Sequence, residues 1–124
     1  MQNFVIITAA LLGALAIILG AFGAHAFKKI LSAEKLESFE VGVRYQMYAA
    51  LSLLIIGLNF SFEQQSEKVA FYLISLGAIL FSVSIYLLSF GDYWKKNLKF
   101  LGPITPLGGL LMTAGWVAII VRFL

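Results

Sequence analysis

Few side chains in this chain of 124 residues can move a proton, grip an anion or hold a metal: one histidine, no cysteine, six Asp and Glu, and nine Lys and Arg. The histidine, His25, stands just ahead of Lys28 and Lys29. An imidazole titrates near neutral pH, so His25 could relay a proton or serve as a ligand. It could equally bond a backbone carbonyl or a lipid headgroup at a helix end, where its positive form also suits the dipole. Zinc and copper centres need several imidazole, thiolate or carboxylate ligands at close spacing, and one histidine without cysteine supplies no such pattern. No metal and no cofactor is expected.

The densest polar group is Arg44 with Tyr45, Gln46 and Tyr48. A guanidinium meets phosphate or carboxylate oxygens as a planar fork, so this cluster could hold a lipid headgroup or a substrate anion. The alternative is an anchor of the kind that aromatic and basic residues form at a membrane surface. Thr8, Asn59, Tyr86, Thr113 and the serines between 75 and 89 are milder polar groups inside apolar runs, where such groups bond the preceding turn or a neighbouring helix. None of these runs holds an acidic residue at its middle, and no Ser/His, paired Asp or metal-binding set occurs within them. That argues against an ion-coupled pump and an intramembrane hydrolase, and no catalytic residue is assigned. The glycines of GAFGAH at 20 to 25 lack the spacing and the strand-to-helix setting of a nucleotide loop.

The elements that carry these residues follow from composition. With 61% hydrophobic and 12% charged residues, a soluble domain of this length would leave large apolar patches in water, whereas lipid accepts them. Four apolar segments stand out: 4–26, 45–62, 69–91 and 106–123. At about 1.5 Å per residue each can cross a core of about 30 Å. Lipid offers no partner to backbone N–H and C=O groups, so each must be a helix, and strand-like alternation is absent. The expected fold is all-α: one domain, 1–124, with four transmembrane helices. Residues 1–26 lack the basic start and short apolar stretch of a secretory signal and are read as a retained helix.

Residues 33–44 are expected to form an amphipathic helix at the interface that runs on into the second span. Ser32 would cap it, Leu36, Phe39, Val43 and Met47 would form its apolar stripe, and Glu40 would pair with Arg44 on the polar side. Ser66 is the expected cap of the third span; Thr105 would cap the fourth, with Pro106 in its first position. Seven of the nine basic residues lie in the first and third connections, which the positive-inside rule places in the cytoplasm with both termini outside. The basic residues thus mark membrane topology, and no nucleic acid is expected as a partner.

Small residues predict how the spans pack. Ala9, Gly13, Ala16, Gly20 and Gly23 form a seam on the first, at steps of four and three. The third carries two stripes, Ser75, Ser82, Ser89 and Gly77, Ser84, Gly91, about 160° apart at about 100° per residue, so it should have neighbours on two sides. One of those neighbours could belong to a second copy or a larger membrane complex.

GAFGAH at 20 to 25, FEVGVRYQMY at 39 to 48, Phe81 and Ser82 with Tyr86 following, GPITPLGG at 102 to 109, and Gly115 with Trp116 occur in the order of a known family. In these motifs the chain resembles the domain of unknown function 423 family of small bacterial membrane proteins, to which the eukaryotic transmembrane protein 256 group looks related. The resemblance implies four membrane helices in a bacterial inner membrane and no assigned catalytic role. Gly20, Gly23, His25, Tyr45, Gln46, Thr105, Pro106, Gly108 and Gly109 match its pattern. That family commonly has a histidine where this chain has Ala49, so any paired-histidine site with His25 would here lack one member. Two functions remain open: a non-enzymatic accessory or membrane-organising protein, and a small-molecule transporter or lipid-binding protein with a polar pocket near His25, Arg44, Tyr45, Gln46 and Thr105.

Overall fold

Backbone groups without water must bond one another, and 82 of the 101 backbone hydrogen bonds lie within helices. The computed structural model describes residues 1–124 throughout. Its helices are α1 (Gln2–His25), α2 (Ala33–Asn59), α3 (Gln65–Ser89) and α4 (Ile104–Arg122), with single 3₁₀ turns at Phe27–Lys29 and Lys99–Leu101 and no strand. All four are long and apolar enough to cross a membrane. The outer surface carries the large apolar side chains, Phe4, Leu11, Ile17, Ile55 and Leu110 all being more than half exposed. Small residues are largely turned inward, as expected where lipid rather than water is the outer solvent.

The helices pack in chain order, α1 on α2, α2 on α3 and α3 on α4. On the first contact the α1 seam lies against α2: a Cβ on Gly13 would meet Ala50 at 3.7 Å, one on Gly20 would meet Val43 at 3.4 Å and one on Gly23 would meet Phe39 at 3.3 Å. The Ser82 hydroxyl crosses from α3 to the Gly42 carbonyl of α2 at 2.7 Å. On its other side α3 meets α4 through glycines, since a Cβ on Gly77 would stand 2.7 Å from the Gly108 carbonyl oxygen. The two small-residue stripes of α3 therefore serve different neighbours within one chain. Val5, Leu53, Ile56, Phe71 and Ile74 form the core between the helices, with Met112 and Ile119 of α4 packed against it.

Local expectations are met in part and corrected in part. Residues 33–44 are the opening turns of α2, a single helix of 27 residues that runs on into the second span without a break, as expected. At about 1.5 Å per residue it reaches about 40 Å, beyond a hydrocarbon core of about 30 Å. Its apolar stripe faces protein: Phe39 is buried, edge-on to Phe27 with ring centroids 5.2 Å apart, and beside Tyr86 at 4.8 Å. Ser32 does cap it, accepting from the Lys35 N–H at 3.2 Å. Glu40 and Arg44 do not pair; both project into solvent, where such a pair is worth only a few tenths of a kcal/mol.

α3 begins at Gln65, with Gln64 rather than Ser66 in the cap position. Glu67 then falls in the first turn, where a carboxylate suits the positive end of the helix. α4 begins at Ile104 with Pro103 before it, so Thr105 is not its cap and Pro106 is not its first residue. Thr105 turns instead to α3, its hydroxyl 2.6 Å from that of Ser84. Proline remains tolerable at 106 because N–H groups throughout the first turn lack intrahelical acceptors. α2 ends at Asn59, and the chain turns through Phe62 with φ 61°, a conformation that bulky residues avoid. Burial of the Phe60 and Phe62 rings holds that turn.

Candidate functional site

The five polar residues singled out from the sequence do not converge. His25 ends α1, exposed, with no side-chain hydrogen bond or ion pair, and Arg44 is likewise exposed and unpaired. Gln46 points into the protein, 5% exposed, where its amide donates to the Leu12 carbonyl at 2.8 Å and accepts from the Tyr86 hydroxyl at 2.6 Å. It joins α1, α2 and α3 as a structural bridge. Replacing Gln46 with leucine strands the Tyr86 hydroxyl and should cost about 2 kcal/mol. Thermal unfolding in detergent checks this, and adding Tyr86→Phe should restore much of the loss.

Tyr45 and Thr105 sit elsewhere, along one cleft. Its floor is a third stripe of α3, Ile74, Phe81 and Leu88, which step by seven between the serine stripe that meets α2 and the glycine stripe that meets α4. The α2 and α4 walls rise on either side. One section is an open groove of about 810 Å³ lined by Tyr45, Tyr48, Ala49, Thr113 and Trp116 over Ile74 and Phe81. The Tyr45 and Phe81 rings lie 4.9 Å apart at an angle of 49°. From Pro106 to Trp116 the groove descends about 15 Å at helical rise, half of a hydrocarbon core of about 30 Å. One leaflet has that depth.

Pro106 also lines the next section, a neck of about 490 Å³ that includes Ser38, Ser89, Gly102 and Thr105. Lys35 and Leu88 are in turn common to the neck and to an outer mouth of about 440 Å³, where Asp92, Lys95, Lys96 and Lys99 gather. The polarity thus changes in sequence from aromatic and aliphatic, through hydroxyls, to predominantly cationic. None of the four lysines is in an ion pair, the single pair in the molecule being Arg122 with Glu67 at the opposite end of the helices. His25, Arg44 and Gln46 line none of these three sections.

Three features escape the sequence reading. Gly108 and Gly115, seven residues apart on α4, make its closest approach to α3, and that step was available as a signal. Glu67 and Arg122 begin α3 and end α4, so antiparallel packing sets them side by side, with Arg122 Nε 2.6 Å from Glu67 Oε1. The Lys35 contribution to the mouth has no local sequence sign, because its companions lie sixty positions further on.

Comparison with known proteins assigns the chain. The sequence model of the family described as "Protein of unknown function (DUF423)" matches residues 19–109. The chain belongs to this family. It is 40% identical over 102 residues to a UPF0382 membrane protein of Staphylococcus haemolyticus, covering 82% of this chain and 80% of that one. It is 37% identical to the UPF0382 membrane protein YwdK of Bacillus subtilis, over 94% of this chain and 92% of its relative. The UPF0382 inner membrane protein YgdD of Escherichia coli is 33% identical, over 97% and 88%. No solved structure matches the chain. With four spanning helices and relatives of this description, the protein is a multi-pass membrane protein. The family match takes in the whole mouth and neck of the cleft and stops inside the groove, short of Thr113 and Trp116.

Proposed function

We propose that this family member is a non-enzymatic lipid-binding protein that holds one membrane amphiphile in the cleft along α3. The observation that carries the reading is the groove itself: aromatic, as long as one leaflet is thick, open rather than enclosed, and continued by a polar neck. Ligand sites of about 300 to 1,000 Å³ with mostly apolar walls and a few polar groups are ordinary binding sites, and this groove falls within that range. Entry from the side requires no soluble path.

The pocket expected near His25, Arg44 and Thr105 is thereby relocated, keeping Thr105 and Tyr45 but not His25 or Arg44. The accessory-protein reading rested on small-residue seams, yet those seams are occupied within the chain, α1 against α2 and α3 against both α2 and α4. On this reading the positive-inside rule puts the lysine mouth at the cytoplasmic surface and both termini outside.

Native mass spectrometry after extraction in mild detergent tests the function. The wild type should retain about one lipid per chain, and Thr113→Trp, which fills the groove from α4, should lose it while keeping its helical content. Recovery of wild type without lipid, but in stable association with another membrane protein, would favour the accessory reading instead.

A further inference from the structure

Resting on the lipid-binding reading above, we infer that the occupant is a phospholipid with an anionic headgroup, held by Lys35, Lys95, Lys96 and Lys99. Lys35 comes from the start of α2 and the other three from the α3–α4 connection, so only the fold brings them to one cavity. Asp92 is the single acidic residue lining it. Four cations against one anion, with no ion pair among them, leave a positive potential at the end of an apolar groove. The order of surfaces matches the order of parts in such a lipid: acyl chain over Phe81 and Trp116, ester region at the Ser38 and Thr105 hydroxyls, phosphate at the lysines.

Lysines at a membrane surface are common, and their presence at this end alone would signify only topology. The distinguishing fact is position. Lys28 and Lys29 occur in the other basic connection and line none of the three sections, while four of the remaining lysines line the mouth, which adjoins the groove through the neck. Each cation near an anionic headgroup adds attraction that falls away within a Debye length, so a clustered set recognises a charge that scattered ones do not.

Trp116 lies in the groove and supplies a direct reporter. The chain has two tryptophans, so Trp94→Phe leaves Trp116 as the sole tryptophan emitter while preserving the ring stacked on Phe90. This variant is reconstituted in phosphatidylcholine vesicles containing rising fractions of phosphatidylglycerol with brominated chains, and separately in vesicles in which brominated phosphatidylcholine replaces it. Quenching by the anionic lipid should saturate, with its midpoint at a mole fraction about tenfold lower than for the neutral lipid. Lys95→Gln with Lys99→Gln should remove most of that preference, whereas Lys28→Gln with Lys29→Gln, which discards the same charge, should keep it. Circular dichroism verifies that each variant is folded.

Equal and saturable quenching by both lipids would overturn the headgroup inference and leave lipid binding standing. Quenching that rises only in proportion to mole fraction for both lipids, or none from either because protein covers the groove, would overturn lipid binding and this inference together. If millimolar inorganic phosphate competes away the preference, the lysines hold a free anion and the lipid assignment fails.

Discussion

Gly108→Ala is expected to lower stability by about 3 kcal/mol, the upper part of the usual range for overpacking. A methyl group there would stand 2.5 Å from the Phe81 nitrogen, 2.7 Å from the Gly77 carbonyl oxygen and 2.9 Å from the Phe81 Cα. All three are backbone atoms of a helix, which no rotamer change can move aside. Relief requires α3 and α4 to separate, and separation forfeits the dispersion contacts that hold helices together where lipid competes equally for apolar surface. Gly109 provides the internal control. A methyl group at that position meets only the Phe81 ring, at 3.7 and 3.8 Å, which is ordinary contact. Gly109→Ala should thus be neutral or gain up to about 1 kcal/mol from helix propensity. Unfolding by increasing SDS in mixed micelles, followed by helical content, reads both variants, and equal midpoints for the two would refute the close α3–α4 approach. Because these helices also form the floor and one wall of the cleft, Gly108→Ala should loosen ligand binding as well.

The second large effect is expected at the other end of the molecule. Glu67 is 1% exposed, one carboxylate oxygen accepting from Arg122 Nε at 2.6 Å and the other without a hydrogen-bond partner. Arg122 covers it from the last turn of α4, its guanidinium also lying 5.9 Å from the Phe60 ring centroid and 5.3 Å from that of Phe123. Loss of one member of a buried pair costs about 3 to 5 kcal/mol, since the other charge stays desolvated without compensation. Arg122 is 30% exposed, so water can partly replace it, and Arg122→Leu should cost about 3 kcal/mol, the lower bound of that range. Removing both charges in Glu67→Leu with Arg122→Leu should return most of the loss. The four members of this double-mutant cycle can be compared by thermal unfolding in one detergent, and a double variant as unstable as Arg122→Leu alone would disprove the compensation.

Each of these effects depends on particular neighbours, and that marks the boundary of what the chain alone reveals. The sequence determined that the protein is four membrane-crossing helices, because uninterrupted apolar runs of this length have one solution in lipid. It determined the Ser32 cap and the small-residue faces as well, since capping and helical periodicity act over a few residues. The α1 seam and the two α3 stripes could be read directly, at steps of three, four and seven. The partner of each stripe could not, nor that the larger residues between them, Ile74, Phe81 and Leu88, would become the floor of a cleft.

Local rules also assigned Ser66, Thr105 and Pro106 to helix starts that the fold placed elsewhere. Thr105 went to Ser84 because a hydroxyl facing a neighbouring helix in lipid gains more from that partner than from its own first turn. Gln46, read as part of a polar cluster that would hold an anion or anchor the chain at the membrane surface, was drawn inward because the Leu12 carbonyl and the Tyr86 hydroxyl satisfied its amide together. Arg44, its near neighbour, found no such partners and stayed outside. Tertiary structure alone decided that Lys35 stands with Lys95, Lys96 and Lys99, since charges distant in sequence acquire a common field only when packed helices fix the space between them.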